Sequence, residues 1–277
     1  CLIENTELIN QTMYTQPAIV MLQLALDHLW KELGIHSHIY IGHSVGEFSA
    51  ASSVGYYQEA DVLRLIAKRA SLMQSLETSG GMIAVRSSKE KIKKLLESHN
   101  INLDFAAFNA PEQVVLSGST ANIDEMHKEC KKQKVKSRIL SVSHPFHSQL
   151  MSPMTTEFYE FSQSIQPHNM QARGDLISNL TGRPLCTPQS ADYWVRHILS
   201  PVNFEESVHY LSNSGAKTFI EIGPDAVLSK LAKKCIGGSN SSTYLSTMVK
   251  SVCPINNIIK CALELDNSGH YLNWNAL

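Results

Sequence analysis

His38-Ile39-Tyr40-Ile41-Gly42-His43-Ser44-Val45-Gly46-Glu47-Phe48-Ser49-Ala50 joins three local signals. His38 to Ile41 reads as a short buried strand that ends at Gly42. Gly42 to Gly46 fits G-x-S-x-G, and the small residues from Glu47 to Ser53 read as a helix. In such a strand–turn–helix the strained turn pushes the serine hydroxyl clear of the backbone, and the glycines let strand and helix approach closely. Ser44 is therefore a candidate nucleophile. The helix N-terminus and the Val45 N–H would face charge developing on an attacked carbonyl. A plain strand–helix connection is the competing reading.

Upstream, apolar residues recur at helical spacing from Pro17 to Leu33, with Pro17 suited to a first turn and Gly34 as the stop. Downstream, a helix is predicted over Glu59–Glu77, before Gly80-Gly81. The middle then alternates: strand Met82–Val85, helix Ser88–Ser98, strands Asp104–Phe108 and Gln113–Ser117 about an Asn109-Ala110-Pro111 turn, helix Ala121–Gln133, strand Val135–Val142. This β-α-β-β-α-β order is the split βαβ pattern of a ferredoxin-like unit, inserted between two halves of a larger α/β domain. The second half resumes after His147. Helices are predicted over Gln149–Gln163, Tyr193–Leu199 and Glu205–Ser212, and strands over Asp175–Asn179 and Lys217–Ile222. Gly237–Ser242 reads as a Gly/Ser-rich linker, followed by a helix over Pro254–Leu265 and a short end, Tyr271–Leu277. The expected division is 1–80 and 144–236 for the large subdomain, 81–143 for the small one, and 237–277 for linker and trailing segment.

The 277 residues are 43% hydrophobic and 18% charged, with 24 Lys plus Arg against 25 Asp plus Glu. That near-neutral balance argues against nucleic acid or a membrane surface as the main partner. No apolar run is long enough to span a membrane, and the N-terminus lacks a signal-peptide layout. Cys1, Cys130, Cys186, Cys235, Cys253 and Cys261 are scattered without C-x-x-C or zinc-ligand spacing, so a reducing cytoplasm is expected. Asn179-Leu180-Thr181 matches a glycosylation acceptor, which reads as chance without a secretion signal.

A nucleophilic serine needs a base. His147, in Ser143-His144-Pro145-Phe146-His147-Ser148, sits where the chain re-enters the large domain and could overhang the turn. His144 is a rival, and a surface-loop histidine is the bland alternative. Read as metal ligands, the pair lacks an accompanying carboxylate or cysteine. Arg69 is a separate clue. It falls within the apolar stripe Val62, Ile66, Met73, Leu76. A guanidinium there wants a carboxylate or phosphate, whether from a structural salt bridge or from a ligand.

Together these residues resemble the malonyl-coenzyme A:carrier-protein transacylase family, which includes acyltransferase domains of polyketide synthases. The resemblance rests on Thr15-Gln16-Pro17-Ala18, Gly42-His43-Ser44-Val45-Gly46-Glu47 and Arg69-Ala70-Ser71-Leu72-Met73-Gln74. It continues through Phe108-Asn109-Ala110-Pro111, Val115-Leu116-Ser117-Gly118, His144-Pro145-Phe146-His147-Ser148, Ile177-Ser178-Asn179-Leu180-Thr181-Gly182 and Glu221-Ile222-Gly223-Pro224. The resemblance implies an α/β-hydrolase-like large domain with an inserted ferredoxin-like small subdomain.

It further implies Ser44 as acyl-carrying nucleophile, His147 as general base, Val45 as an oxyanion donor and Arg69 as the grip on a malonyl carboxylate. Gln16, His43, Met73, Phe146 and Asn109 would contact substrate. The backbone carbonyl of Asn203, in Pro201-Val202-Asn203-Phe204, would orient the histidine. Phe146 would disfavour an α-methyl branch, and Pro145, in place of the family's alanine, would stiffen the loop. No bound cofactor is expected. Malonyl-coenzyme A would be the substrate, the phosphopantetheine thiol of an acyl carrier protein the acceptor, and a ketosynthase among the domains of the same polypeptide. The family's opening G-Q-G-S-Q strand is missing from the sequence, which suggests a piece of something longer. An acyl hydrolase that clears carrier proteins and a non-catalytic docking module are the rival readings.

Overall fold

Helix α1 (Thr12–Glu32) begins five residues before Pro17, so the proline lies inside the helix rather than in its first turn. Its ring forfeits one backbone hydrogen bond, to the carbonyl four residues back. The first turn persists because Thr12 and Gln16 are both buried, Gln16 donates to Thr12 Oγ1 within the helix at 2.6 Å, and Gln16 also meets Arg69 and Met73 of a later helix. The computed structural model describes residues 7–168, 172–237 and 242–276.

After Gly34 the chain forms β1 (Ile39–Ile41), the turn, α2 (Gly46–Ser53) and α3 (Glu59–Gln74). The turn is tight enough to exclude any side chain at position 42, where a Cβ would lie 2.1 Å from the Glu47 nitrogen. The inserted unit runs β2 (Gly80–Val85), α4 (Lys89–His99), β3 (Asp104–Ala110), β4 (Gln113–Ser119), α5 (Thr120–Lys132) and β5 (Ser137–Leu140). Its sheet has the order β3-β4-β2-β5, all antiparallel, as a ferredoxin-like unit requires. Ser88 and Ser119 cap the two helices through their hydroxyls, and Ile83, Ile92, Leu116 and Met126 are core residues of the unit.

The large subdomain continues with a 3₁₀ stretch (Gln149–Met154) leading into α6 (Thr155–Gln163). Pro153 accounts for the tighter first part of what the sequence predicts as one helix. Then come β6 (Asp175–Ile177), α7 (Ala191–Leu199), α8 (Phe204–Asn213) and β7 (Thr218–Glu221). Strand β1 pairs in parallel with β6, so the loops after both strands emerge at the same edge. The Pro201–Asn203 segment is held to the edge of the small sheet: Phe108 N–H donates to Val202 O at 2.9 Å, and Val202 N–H to Ala106 O at 3.0 Å.

Two further elements lie outside the sequence-based expectation. Helix α9 (Leu228–Ile236) carries three lysines that break its apolar pattern in the sequence, yet it buries Leu231, Ala232 and Cys235. Residues 242–276, within the span expected as linker and trailing segment, carry regular elements. Strand β8 (Thr243–Ser246) pairs in parallel with β7, and α10 (Pro254–Asn267) packs Ala262 and Leu265 onto Trp30 and Leu33 of α1 and its end. Trp30 also donates its indole N–H to Thr247 Oγ1 at 2.9 Å. Burying such side chains contributes about 1.5–3 kcal/mol each, more than a trailing segment would forgo. Cys1, Leu277 and residues 238–241 of the expected linker lie outside the described residues.

Candidate active site

Strand β1 delivers Ser44 at its carboxyl end, in a left-handed conformation (φ 50°). His147 is also left-handed (φ 57°), on the loop from β5 into the large subdomain. Left-handed backbone is costly for residues with a Cβ, and it persists where surrounding contacts over-determine it. The two strained residues meet: Ser44 Oγ lies 2.7 Å from His147 Nε2. His144, the rival, has its Nδ1 on Ser143 Oγ at 2.8 Å.

The opposite ring nitrogen of His147 faces the Ser200 carbonyl at 3.0 Å, which leaves Nε2 free to accept the Ser44 proton. This corrects the expectation for Asn203. The Asn203 carbonyl is taken by the Ser207 N–H and hydroxyl at the start of α8. Ser200 is the residue after α7, where carbonyls lack helical partners, so its oxygen is available. Sequence spacing could not separate two carbonyls three residues apart.

Burial keeps this histidine neutral. His147 is 4% exposed, and desolvation, followed by the Arg69 charge beside it, lowers its pKa to about 3. The Val45 N–H has no hydrogen-bond acceptor among the described residues, so it can serve an oxyanion in front of Ser44.

Arg69 is 1% exposed in the middle of α3. One terminal nitrogen donates to Gln16 Oε1, its Nε has no partner, and no carboxylate lies within ion-pair distance of it among the described residues. Desolvation lowers its pKa to about 9. Gln16 reaches Met73 as well, with its Nε2 3.4 Å from the sulfur, so Gln16, Arg69 and Met73 form one cluster. Gln16 thereby holds the guanidinium. His43 and Asn109 are joined at 2.8 Å, Nε2 to Oδ1. Phe146 packs between the core of the large subdomain and the β3–α8 contact. The structure thus joins Ser44 to His147, Gln16 to Arg69 and Met73, and His43 to Asn109, while the Asn203 carbonyl serves Ser207 rather than His147.

Sequence reasoning left several participants unassigned. Glu47 is fully buried, and desolvation pushes its carboxyl up to about 7. Its oxygens accept from the Asn179 N–H (2.9 Å), the Tyr193 hydroxyl and Gln189 Nε2 (3.3 Å), and His197 Nε2 lies 3.5 Å away. A lone acid in the small, apolar run of α2 was the available signal.

Comparison with known proteins gives a consistent result. Residues 1–253 match the family model described as the acyl transferase domain. The chain is 31% identical over 274 residues to polyketide synthase GfsA of Streptomyces halstedii, covering 98% of this chain and 4% of that protein. It is 35% identical over 252 residues to the PKS-NRPS hybrid synthetase ATPKS of Aspergillus niger, covering 87% of this chain and 13% of that one. The chain therefore spans a small part of these relatives. Among solved structures, the acyltransferase domain from the second module of the salinomycin polyketide synthase matches with TM-score 0.92 and 32% identity, over 98% of this chain and 64% of that one. The malonyl CoA-acyl carrier protein transacylase of Clostridium perfringens matches with TM-score 0.84 and 28% identity, over 96% and 84%.

Proposed function

The chain belongs to the acyl transferase domain family, and from that membership we propose that it carries malonyl units from coenzyme A to the phosphopantetheine thiol of an acyl carrier protein. That it is an acyltransferase follows from the family. The choice of malonyl is supported above all by Arg69, a buried guanidinium with an unpartnered Nε and, among the described residues, no carboxylate to pair with. A half-thioester of a dicarboxylic acid brings the missing counter-ion, and two parallel hydrogen bonds suit a carboxylate on a guanidinium.

The steps follow from the groups at hand. His147 Nε2 takes the Ser44 proton as Oγ bonds to the thioester carbon, and the Val45 N–H meets the oxyanion. Collapse breaks the carbon–sulfur bond, and coenzyme A leaves with the proton held by His147. The carrier thiol then gives its proton to His147, attacks the acyl-serine and releases Ser44 as the alcohol. The Ser200 carbonyl keeps the imidazole oriented throughout. Phe146, beside this centre, favours malonyl over methylmalonyl by steric exclusion. Since the matched polyketide synthases are far longer than this chain, it would work beside a ketosynthase and a carrier in one cytoplasmic polypeptide. No described helix is long and apolar enough to cross a membrane.

Intact-mass spectrometry after brief exposure to malonyl-, methylmalonyl- and acetyl-coenzyme A tests this reading. A malonyl adduct that disappears in Ser44→Ala is expected. A folded protein with no malonyl adduct would transfer the assignment to a hydrolase or a docking module.

A further inference from the structure

The Ser44 turn is strained, and on its C-terminal side it is closed by backbone bonds from Gly46 N–H to the His43 carbonyl (3.1 Å) and from Glu47 N–H to the Ser44 carbonyl (3.0 Å), which leave the Ser44 N–H and the Gly42 carbonyl to other partners. Those two groups are bridged by one side chain from another loop. Asn179 Oδ1 accepts from the Ser44 N–H at 2.7 Å, and Asn179 Nδ2 donates to the Gly42 carbonyl at 2.9 Å. The same amide thus grips the peptide groups on both sides of His43. Asn179 follows β6, the parallel neighbour of β1, so the pairing brings the two loops to one edge. Its own backbone is fixed from both directions: its N–H donates to Glu47 Oε2 at 2.9 Å, and its carbonyl accepts from Asn203 N at 2.9 Å and Asn203 Nδ2 at 3.1 Å.

We propose that Asn179 is a positioning residue for Ser44: its side-chain amide, on a backbone held by Glu47 and Asn203, keeps the left-handed turn at the angle from which Oγ meets both His147 and an incoming carbonyl. Each link has a chemical reason. A side-chain amide carries its acceptor and its donor on separate atoms of one planar group, so it can accept from one peptide and donate to the next at the same time and at any pH. The residue is 2% exposed, so water cannot replace either bond. Left-handed φ at Ser44 costs free energy that an external brace offsets. The Asn-Leu-Thr sequence thereby acquires a structural reason, because an amide with both ends engaged is closed to glycosylation.

This inference rests on Ser44 as the nucleophile but not on malonyl as the acyl group. Its test therefore uses the rate at which a fluorophosphonate labels Ser44 in the full-length protein, alongside malonyl loading. Asn179→Ala should label about 10²-fold more slowly, the effect of displacing a reacting group by about an ångström. Asn179→Asp is nearly isosteric and guards against loss of fold. Protonated, it accepts from Ser44 N–H and donates to Gly42 O; ionised, it sets a carboxylate against the Gly42 carbonyl. Glu47 on α2, Tyr193 and His197 on α7, and His43 and His147 face the same region, so each rate is divided by the wild-type rate at the same pH. That ratio should fall as pH rises. Labelling of Asn179→Ala within threefold of wild type, or a pH-independent ratio for Asn179→Asp, overturns the proposal. Normal labelling of the wild type without malonyl loading would remove the substrate assignment and leave the brace to be judged by the same two ratios.

Discussion

Replacing Arg69 by methionine separates a substrate-binding charge from a structural one. The guanidinium is 1% exposed, and burial alone lowers its pKa from 12.5 to about 9. At about 1.4 kcal/mol per pH unit, keeping it charged at pH 7 costs about 5 kcal/mol. The sign is unambiguous: a cation whose folded pKa lies below its unfolded one opposes folding at every pH below both. Methionine fills a similar volume without charge, although it strands the Gln16 carbonyl, at about 1–3 kcal/mol. Arg69→Met should therefore stabilise the protein by about 2–4 kcal/mol, several degrees in melting temperature by calorimetry. Acylation should move the other way. Losing the partner of a buried, hydrogen-bonded carboxylate costs about 2–5 kcal/mol, so kcat/KM for malonyl-coenzyme A should fall about 30-fold to several thousand-fold. Acetyl-coenzyme A, with no carboxylate, should change little. Quenched-flow acylation with both donors reads the ratio. An unchanged malonyl-to-acetyl preference refutes the carboxylate role, and a destabilised variant refutes the charge accounting behind it.

Phe146→Ser should raise methylmalonyl relative to malonyl loading by about 1–3 kcal/mol, measured as competing adducts in one mass spectrum. Acid should destabilise the fold below pH 6.5. His43, His147 and His197 are all lowered by desolvation, His147 to about 3, so the stability they contribute is complete above 6.5 and lost as pH falls. Glu47, raised from 4.5 to about 7, works in the opposite sense: its contribution is present below 4.5 and lost as pH rises through 7. Three histidines outweigh one carboxyl between 4.5 and 6.5, and His147 alone accounts for about 2 kcal/mol at pH 5; urea midpoints across that range should drop, and a flat series would contradict the neutral buried histidines. Gly80→Ala would place a Cβ 2.6 Å from Pro145 Cγ and 2.8 Å from the Gly118 carbonyl. Overpacking at about 1–3 kcal/mol should displace the loop that carries His147, seen as a lower melting point together with slower Ser44 acylation.

Local chemistry was legible in the chain because it is written in short range. The G-x-S-x-G turn follows from glycine sterics, and the split βαβ order follows from alternating periods and turn residues. Arg69 was conspicuous because a charge interrupts an apolar stripe. What failed was also local in origin. Pro17 reads as a helix start because the partners that hold the turn before it, Arg69 and Met73 around Gln16, lie only across the fold. Helix α9 and strand β8 were overlooked because lysines and a Gly/Ser-rich stretch conceal faces that become apolar only against β7 and α1.

The distances that make a site belong to the assembled molecule. Ser44 and His147 are separated by the entire inserted subdomain, and their 2.7 Å contact depends on where β5 returns the chain. Which carbonyl orients His147 depended on competition: α8 claims that of Asn203, and the end of α7 leaves that of Ser200 free. The brace of Asn179 on Ser44 exists because β1 and β6 run parallel side by side. Residue types and turn geometry are properties of neighbours along the chain, and sequence carries them directly. Hydrogen-bond partners and desolvation are properties of neighbours in space, and they come into being only when the chain has folded.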